Sequence, residues 1–391
     1  MNAKISREKF LQTIGLLGAS SILSPIIAKS EKLFFQNRRI KIGVIGCGSV
    51  SNMYLPHLEK CEYVELVSTC DIIFDRAKSQ AEKFNISNYY PNIHEMLKGA
   101  NFDLLVNLTD MQEHGKLNEI ALNAGKHVWS EKPMHNSYTE GKSLLDLAKS
   151  KGLKIWGAPA VVNSPQFAYM SKSIREGKLG KVSAAHAHYG HTGPTWSAFF
   201  YEKGGGSLPD LGVYNLATLT GLLGPAKSVI AMTSIVTKER IVDNKGKINV
   251  EAEDNAIVVM DHGNGVLSSV QCGFNYFDPF GHSGEGQDRP TITIWGTNGN
   301  MALIGYDWSP FGVHISNSWE KPEGERFETD PKNYVWQQGA SVIAESLVTG
   351  IEPLIAAEHA LHVLEIIEAA RKSGENGERI LLSSTFKYPV I

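Results

Sequence analysis

The chain has 391 residues, with 38 lysines and arginines against 41 aspartates and glutamates, for a net charge of −3. This length supports two domains with full cores, and the near-neutral balance gives no electrostatic basis for binding nucleic acid or an anionic membrane surface. The four cysteines, Cys47, Cys61, Cys70 and Cys272, lack C-x-x-C spacing and read as small buried hydrophobes, with neither a disulfide framework nor a zinc site implied.

Lys4, Arg7 and Lys9 precede an apolar run that starts at Phe10 and keeps its character to Ala28. A basic start, an apolar middle and small residues before a charged stretch describe an export signal over residues 1–30, followed by a linker over 31–39. Ser6-Arg7-Glu8-Lys9-Phe10-Leu11 resembles the twin-arginine signal, except that Glu8 occupies the second arginine position. The expectation is an exported, periplasmic bacterial protein whose mature chain is not inserted in a membrane. The alternative is an uncleaved amphipathic helix on a cytoplasmic protein.

Ile40, Ile42, Val44 and Ile45 form an apolar run of strand length that ends in Gly46-Cys47-Gly48-Ser49-Val50-Ser51. A glycine-rich turn between a strand and a helix lets backbone N–H groups approach a phosphate, and the helix N-terminus adds partial positive charge. Gly46 permits the tight turn, Gly48 the close approach, and Ser51 stands where a third glycine usually sits. A helix is predicted over 52–60 and a buried strand over 64–70, closed by Asp71 about 20 residues beyond the turn, where an acid takes the ribose hydroxyls. The carboxylate would repel the extra phosphate of NADP, so NAD is favoured. Further helices are predicted over 74–84, from the end of the next strand to Ala124, and over 137–149, with strands over 104–108, 126–130 and 153–156. Strands alternating with helices argue for a doubly wound parallel sheet, a Rossmann domain over 40–158, with ligands at the strands' C-terminal ends. Thr109, Glu131 and Lys132 sit at such ends, and His114 either contacts the cofactor or begins a helix.

The pattern changes near residue 160. Helices are predicted over 164–176, 210–222, 335–349 and 356–372, with strands over 181–189, 228–237, 255–260, 266–274, 291–295 and 301–304. Closely spaced strands joined by turns such as His262-Gly263-Asn264-Gly265 indicate a second, α+β domain over 159–391 with a large, mostly antiparallel open sheet. An open face of that sheet needs covering, which predicts a homodimer or homotetramer.

Lys132, at the rim of the nucleotide cleft, can stabilise a developing alkoxide; as a residue type it can equally be a surface lysine after a strand. Asp210 and Tyr214, in Gly204-Gly205-Gly206-Ser207-Leu208-Pro209-Asp210-Leu211-Gly212-Val213-Tyr214, share one face of a helix. A phenol beside a lysine and a carboxylate can accept the proton of a sugar hydroxyl; the alternative is an N-cap aspartate and a packed tyrosine. His186, His188 and His191 lack an acidic or cysteine partner at suitable spacing, so no metal site is expected and His191 is placed on the sugar cleft. Trp196 can stack on a sugar ring or pack its own loop.

The glycine turn, the A-G-K-H-V-W-S-E-K-P run of residues 124–133, the G-G-G-S-L-P-D-L-G-V-Y segment and the tail G-I-E-P-L…A-L-H-V-L-E-I-I-E-A-A-R-K-S-G together resemble the glucose–fructose oxidoreductase / inositol dehydrogenase / rhizopine-catabolism (Gfo/Idh/MocA) family, over roughly residues 40–385. The resemblance implies a bound NAD(P), chemistry on sugars, polyols or related small molecules, Lys132 as the catalytic-site lysine, and Pro133 in a cis peptide. Tyr214 stands where the family most often has histidine, as in the branch resembling glucose–fructose oxidoreductase and dihydrodiol dehydrogenase. Asp110 replaces a common proline, and Asn163-Ser164 an arginine-containing pair, which puts Asn163 on the substrate side and leaves the substrate open. The leading expectation is an NAD-dependent oxidoreductase acting on a sugar, polyol or glycoside, with Tyr214 taking the hydroxyl proton and Lys132 and Asp210 assisting. The alternatives are a glycosidase that retains NAD tightly and works by transient oxidation, elimination, water addition and re-reduction, and a non-catalytic sugar or dinucleotide sensor.

Overall fold

The computed structural model describes residues 38–278, 289–329 and 334–391. The export segment expected over 1–30, and all but the last two residues of the linker expected over 31–39, lie outside them.

The first part of the described chain alternates strand and helix: β1 (Ile40–Ile45), α1 (Ser51–Glu59), β2 (Val64–Cys70), α2 (Phe74–Lys83), β3 (Asn88–Tyr90), α3 (Ile93–Gly99), β4 (Leu104–Asn107), α4 (His114–Asn123), β5 (His127–Ser130), α5 (Tyr138–Ser150) and β6 (Ile155–Gly157). The strands form one parallel sheet in the order β3-β2-β1-β4-β5-β6. Ile42, Val44, Leu104, Leu105 and Val106 are fully buried, as expected where helices cover both faces of a sheet. β3 and α3 are not predicted from the sequence. β3 is a three-residue polar edge strand, and α3 is only seven residues long, started by the Asn92 side chain accepting from Glu95 N–H.

The chain then runs through α6 (Pro165–Arg175), β7 (Val182–Gly190) and α7 (Val213–Leu223) into a run of strands: β8 (Ser228–Ser234), β9 (Glu239–Val242), β10 (Gly246–Asn249), β11 (Asn255–Gly263), β12 (Val266–Gly273), β13 (Pro290–Gly296), β14 (Gly299–Tyr306), β15 (Ser309–Ser316) and β16 (Glu325–Glu328). Helices α8 (Gly339–Thr349) and α9 (Ala357–Asn376) and the two-residue β17 (Ile380–Leu381) finish it. Among the described residues these strands build a nine-stranded sheet, β16-β15-β14-β13-β7-β12-β11-β8-β17, and a separate β9–β10 hairpin. Every pairing in the large sheet is antiparallel except β7 with β12. The strands absent from the prediction carry contrary local signals: β15 holds Pro310 and Gly312, and β9, β10 and β16 are charged. The helix predicted over 210–222 instead opens with a π-helical turn, Leu208–Gly212, before α7.

One face of the large sheet is covered by α7 and α9. On the other, Ile230 faces Val259 and Met232 faces Ile257 across β8 and β11, all four exposed. His186 and His188 stand on this outer side of β7, with His186 bonded to Ser269 Oγ (3.0 Å), while His191 lies beyond the strand's end. The three histidines therefore do not share a site, and among the described residues no group of three or more His, Cys, Asp or Glu side chains is placed to hold a metal.

A clamp fixes the loop that leads into the π turn. Arg371 on α9 donates to Glu253 Oε2 (3.0 Å) and Oε1 (3.1 Å), and to the Gly205 carbonyl. Glu253 in turn accepts from Leu208 N–H (3.1 Å). Gly206, with φ +111°, could not carry a side chain here, because a Cβ would fall 2.3 Å from the Glu253 carboxylate. Replacing Arg371 by Ala leaves Glu253 buried without its cation. Because Arg371 is partly exposed, we expect a loss of about 2–3 kcal/mol, below the range for a fully buried pair, read as a lower urea midpoint, with Arg371→Lys recovering part of it.

Candidate active site

The turn after β1 is built as a phosphate cradle. At Gly46, φ is +89°, and a Cβ would lie 2.5 Å from the Leu108 carbonyl, so only glycine lets β1 turn this close to the end of β4. Above Gly48 the space is open, the guanidinium of Arg76 being the nearest group at 3.9 Å from a Cβ position. The N–H groups of Gly48, Ser49 and Val50 find no acceptor among the described residues, and no side chain caps α1. An uncapped helix end with open N–H groups fits a dinucleotide pyrophosphate. Ser51, in the third glycine's place, is fully buried and donates to the Gly48 carbonyl (2.6 Å), closing the turn from inside. Asp71 is buried at the end of β2 and accepts from Cys47 N–H and Ile73 N–H (both 2.8 Å), which leaves lone pairs for ribose hydroxyls.

The ends of β4 and β5 are locked by a buried polar network. Asn107 donates to Asn118 Oδ1 (2.9 Å) and accepts from Thr109 Oγ1 (2.7 Å), while Asn118 donates to Ser130 Oγ and the Met134 carbonyl (both 3.0 Å). The ring nitrogens of His114 lie 2.7 Å from the Pro133 carbonyl and 2.9 Å from the Thr109 carbonyl. Burial lowers its pKa, while the two carbonyls, both acceptors, pull the other way, so the ring bridges the loops that carry them. His114 thus both begins α4 and lines the cavity. Glu131 is buried, accepting from Tyr54 OH (2.6 Å) and from Lys132 N–H (3.0 Å), and Trp129 Nε1 donates to the same Tyr54 hydroxyl (3.3 Å).

Lys132 and Asp210 meet across 78 positions of sequence. Lys132 Nζ donates to Asp210 Oδ1 (2.6 Å) and to the Asp210 carbonyl (2.9 Å), using two of its three N–H groups on one residue. The same ammonium lies 5.3 Å from the centre of the Tyr214 ring. The π turn, held by an i→i+5 bond from Val213 N–H to the Leu208 carbonyl, gives way to α7 just before Tyr214. Such turns recur at functional sites. Burial, and then the Glu131 carboxylate, push the Tyr214 phenol well above its ordinary pKa. The Lys132–Pro133 peptide is cis.

These residues line a cavity of about 610 Å³. Its lining includes Val50, Thr109, His114, Glu131 and Lys132 from the nucleotide-binding half, and Asp210, Tyr214, Tyr189, His191 and the loop carrying Trp196 from the second half. His191 Nδ1 accepts from Gly193 N–H (2.9 Å), which assigns the proton of a neutral ring to Nε2. Trp196 is 45% exposed at the rim, edge-on to Phe199 and Phe200. Asn163, expected on the substrate side, is not among the residues lining the cavity; it closes a 3-10 turn, Val161–Asn163, ahead of α6, and its Nδ2 is buried with no hydrogen-bond partner among the described residues. Sequence reasoning missed Tyr54, Arg76, Tyr189, Tyr276, Tyr306 and Trp336. Each comes from an element whose local pattern carries no signal of a site, although the basic Arg76 so soon after Asp71 was there to be noticed.

Two family models match the chain: residues 40–158 match the oxidoreductase family's NAD-binding Rossmann fold, and residues 167–302 match a GFO/IDH/MocA C-terminal domain. Among curated proteins, the trans-1,2-dihydrobenzene-1,2-diol dehydrogenase of Mus musculus is 25% identical over 351 residues, covering 85% of this chain and 96% of that protein. Two solved structures share the fold. The WlbA dehydrogenase from Bordetella pertussis, in complex with NADH and UDP-GlcNAcA, has a TM-score of 0.71 at 21% identity, covering 88% of this chain and 99% of that one. The aldose–aldose oxidoreductase from Caulobacter crescentus, complexed with glycerol, has a TM-score of 0.73 at 21% identity, covering 88% and 100%. With a glycine turn fit for a dinucleotide and both halves matched in order, this chain belongs to the Gfo/Idh/MocA family of NAD-binding oxidoreductases.

Proposed function

We propose that the protein oxidises a ring hydroxyl of a sugar, polyol or glycoside, or reduces the matching ketone. The observation that carries this reading is that Lys132, Asp210 and Tyr214 line one cavity with Val50 of the glycine turn. NAD, when bound, supplies the hydride acceptor or donor. Relatives whose names state a substrate include dehydrogenases of a cyclic diol, of scyllo-inositol and of D-apiose, which favours the same class here.

In this reading Lys132 directs its remaining N–H to the reacting oxygen, held in place by the two bonds to Asp210. Tyr214 exchanges the hydroxyl proton. Its raised pKa means that the resting phenol is protonated at neutral pH, ready to donate as a ketone is reduced. Oxidation needs the phenolate, so its rate should rise with pH through the neutral range, while reduction stays level until the phenol ionises. Lys132→Ala and Tyr214→Phe should each lower turnover at least ~100-fold, with Tyr214→Phe also flattening the oxidative pH profile. Near-normal rates in both variants would reject the assignment. Assayed on chromogenic glycosides with added NAD, the protein should form NADH stoichiometrically; release of aglycone without NADH would favour the retained-cofactor glycosidase instead.

We infer a preference for NAD, from Asp71, with Arg76 above Gly48 as the foothold for the 2′-phosphate of NADP. Measured by calorimetry, Arg76→Ala should weaken NADP about tenfold and leave NAD nearly unchanged, because only the 2′-phosphate uses the guanidinium.

We also infer that a second copy covers the outer face of the large sheet, where exposed Ile230, Met232, Ile257 and Val259 lie side by side. Light scattering should find an oligomer for the parent protein and a monomer for Met232→Lys.

A further inference from the structure

The charge inventory of the cavity narrows the substrate further, on the premise that a ring hydroxyl is oxidised there. Among the described residues lining it, Lys132 is the only lysine or arginine. Two of its N–H groups are committed to Asp210. Glu131, buried on the same wall, is held by a phenol and a backbone N–H and by no cation among the described residues. Asp278, also lining the cavity, is engaged with groups of its own. Among the described lining residues, one ammonium against the Glu131, Asp210 and Asp278 carboxylates leaves a net negative charge. The cationic ring of an oxidised nicotinamide would not make that count positive, so no cation among the described lining residues is left over for a substrate anion.

Much of the remaining lining is aromatic. Trp196, Phe199, Tyr276 and Tyr306 line the cavity, and Trp196 opens onto solvent beside exposed Thr192 and Thr195. Aromatic faces suit the C–H faces of a pyranose and an apolar group projecting to the rim. A carboxylate or phosphate would lose its hydration there and meet no uncommitted counter-charge among the described lining residues.

We propose that the cavity selects an uncharged cyclic diol with an apolar substituent, such as an alkyl or aryl glycoside, and rejects the corresponding sugar acids and sugar phosphates. Glu131 sets the charge preference, and the Trp196 rim takes the substituent.

The test is binding to the NAD-loaded protein, followed by calorimetry so that no turnover is needed. Phenyl glycosides of gluco, galacto and manno configuration are each paired with the matching phenyl glycuronide, and methyl glycosides report the value of the phenyl group. In every configuration that binds, the neutral member should be at least ~10-fold tighter than the acid, and phenyl tighter than methyl by about tenfold. Thr195→Arg, at the exposed rim, should narrow the neutral-over-acid affinity ratio at least ~10-fold by raising affinity for the acids, whereas Trp196→Ala should abolish the phenyl preference. An acid that binds the parent protein as tightly as its neutral partner would overturn the proposal. So would failure of all the neutral glycosides to bind at about 10 mM, a dissociation constant too weak for a selective site. If neutral glycosides bind selectively while Lys132→Ala retains full turnover, the charge selection stands and the catalytic assignment alone fails.

Discussion

The contact between Lys132 and Asp210 joins the two halves of the enzyme at the point where chemistry is expected. Lys132 follows β5 of the nucleotide-binding sheet, and Asp210 sits in the π turn that leads into the helix backing the large sheet. Both side chains are largely shielded from water, so their attraction is screened far less than that of a surface pair. Two bonds from one ammonium to one residue fix its position and leave a single N–H for another partner. Much of the surrounding structure serves to hold those two residues at this separation.

The support comes from both sides. On the nucleotide side, the asparagine–serine–histidine network fixes the ends of β4 and β5, so the loop carrying Glu131, Lys132 and Pro133 has little freedom. On the other side, the Arg371–Glu253 clamp holds the glycine loop from behind, and Leu208 N–H at the start of the π turn bonds to the same carboxylate. A site held by rigid neighbours does not have to organise itself when its ligands arrive, which is where preorganised electrostatic catalysis gains its advantage. Glu131 links the two roles: it is part of the braced wall and it sets the sign of the field in the cavity. Burial first, and that carboxylate second, raise the Tyr214 pKa well above its ordinary value.

Spacing and residue type alone disclosed the nucleotide-binding half. The strand, the Gly46–Ser51 turn and Asp71 lie within one stretch of 32 residues, so their relation is a local geometric property that a sequence displays directly. The alternation of strand and helix likewise fixed the parallel sheet, and Lys132 stood out by following β5. The second half was less legible. β15 and β16 carry residues that argue against strands, and only pairing with neighbours far along the chain overrides that preference.

What the tertiary structure decided are the relations between distant residues. Tyr54 reaches Glu131 across 77 positions, and Arg371 reaches Gly205 across 166, and neither carries a local pattern that points to its partner. Asn163 shows the same limit from the other direction, since standing where the family often has an arginine-containing pair suggested the substrate side, but the chain places it outside the cavity lining with its amide nitrogen buried. The residue types near a cofactor follow from short-range spacing. Their charges, pKa values and third-party supports depend on which surfaces the fold brings face to face, and spacing along the chain does not encode that.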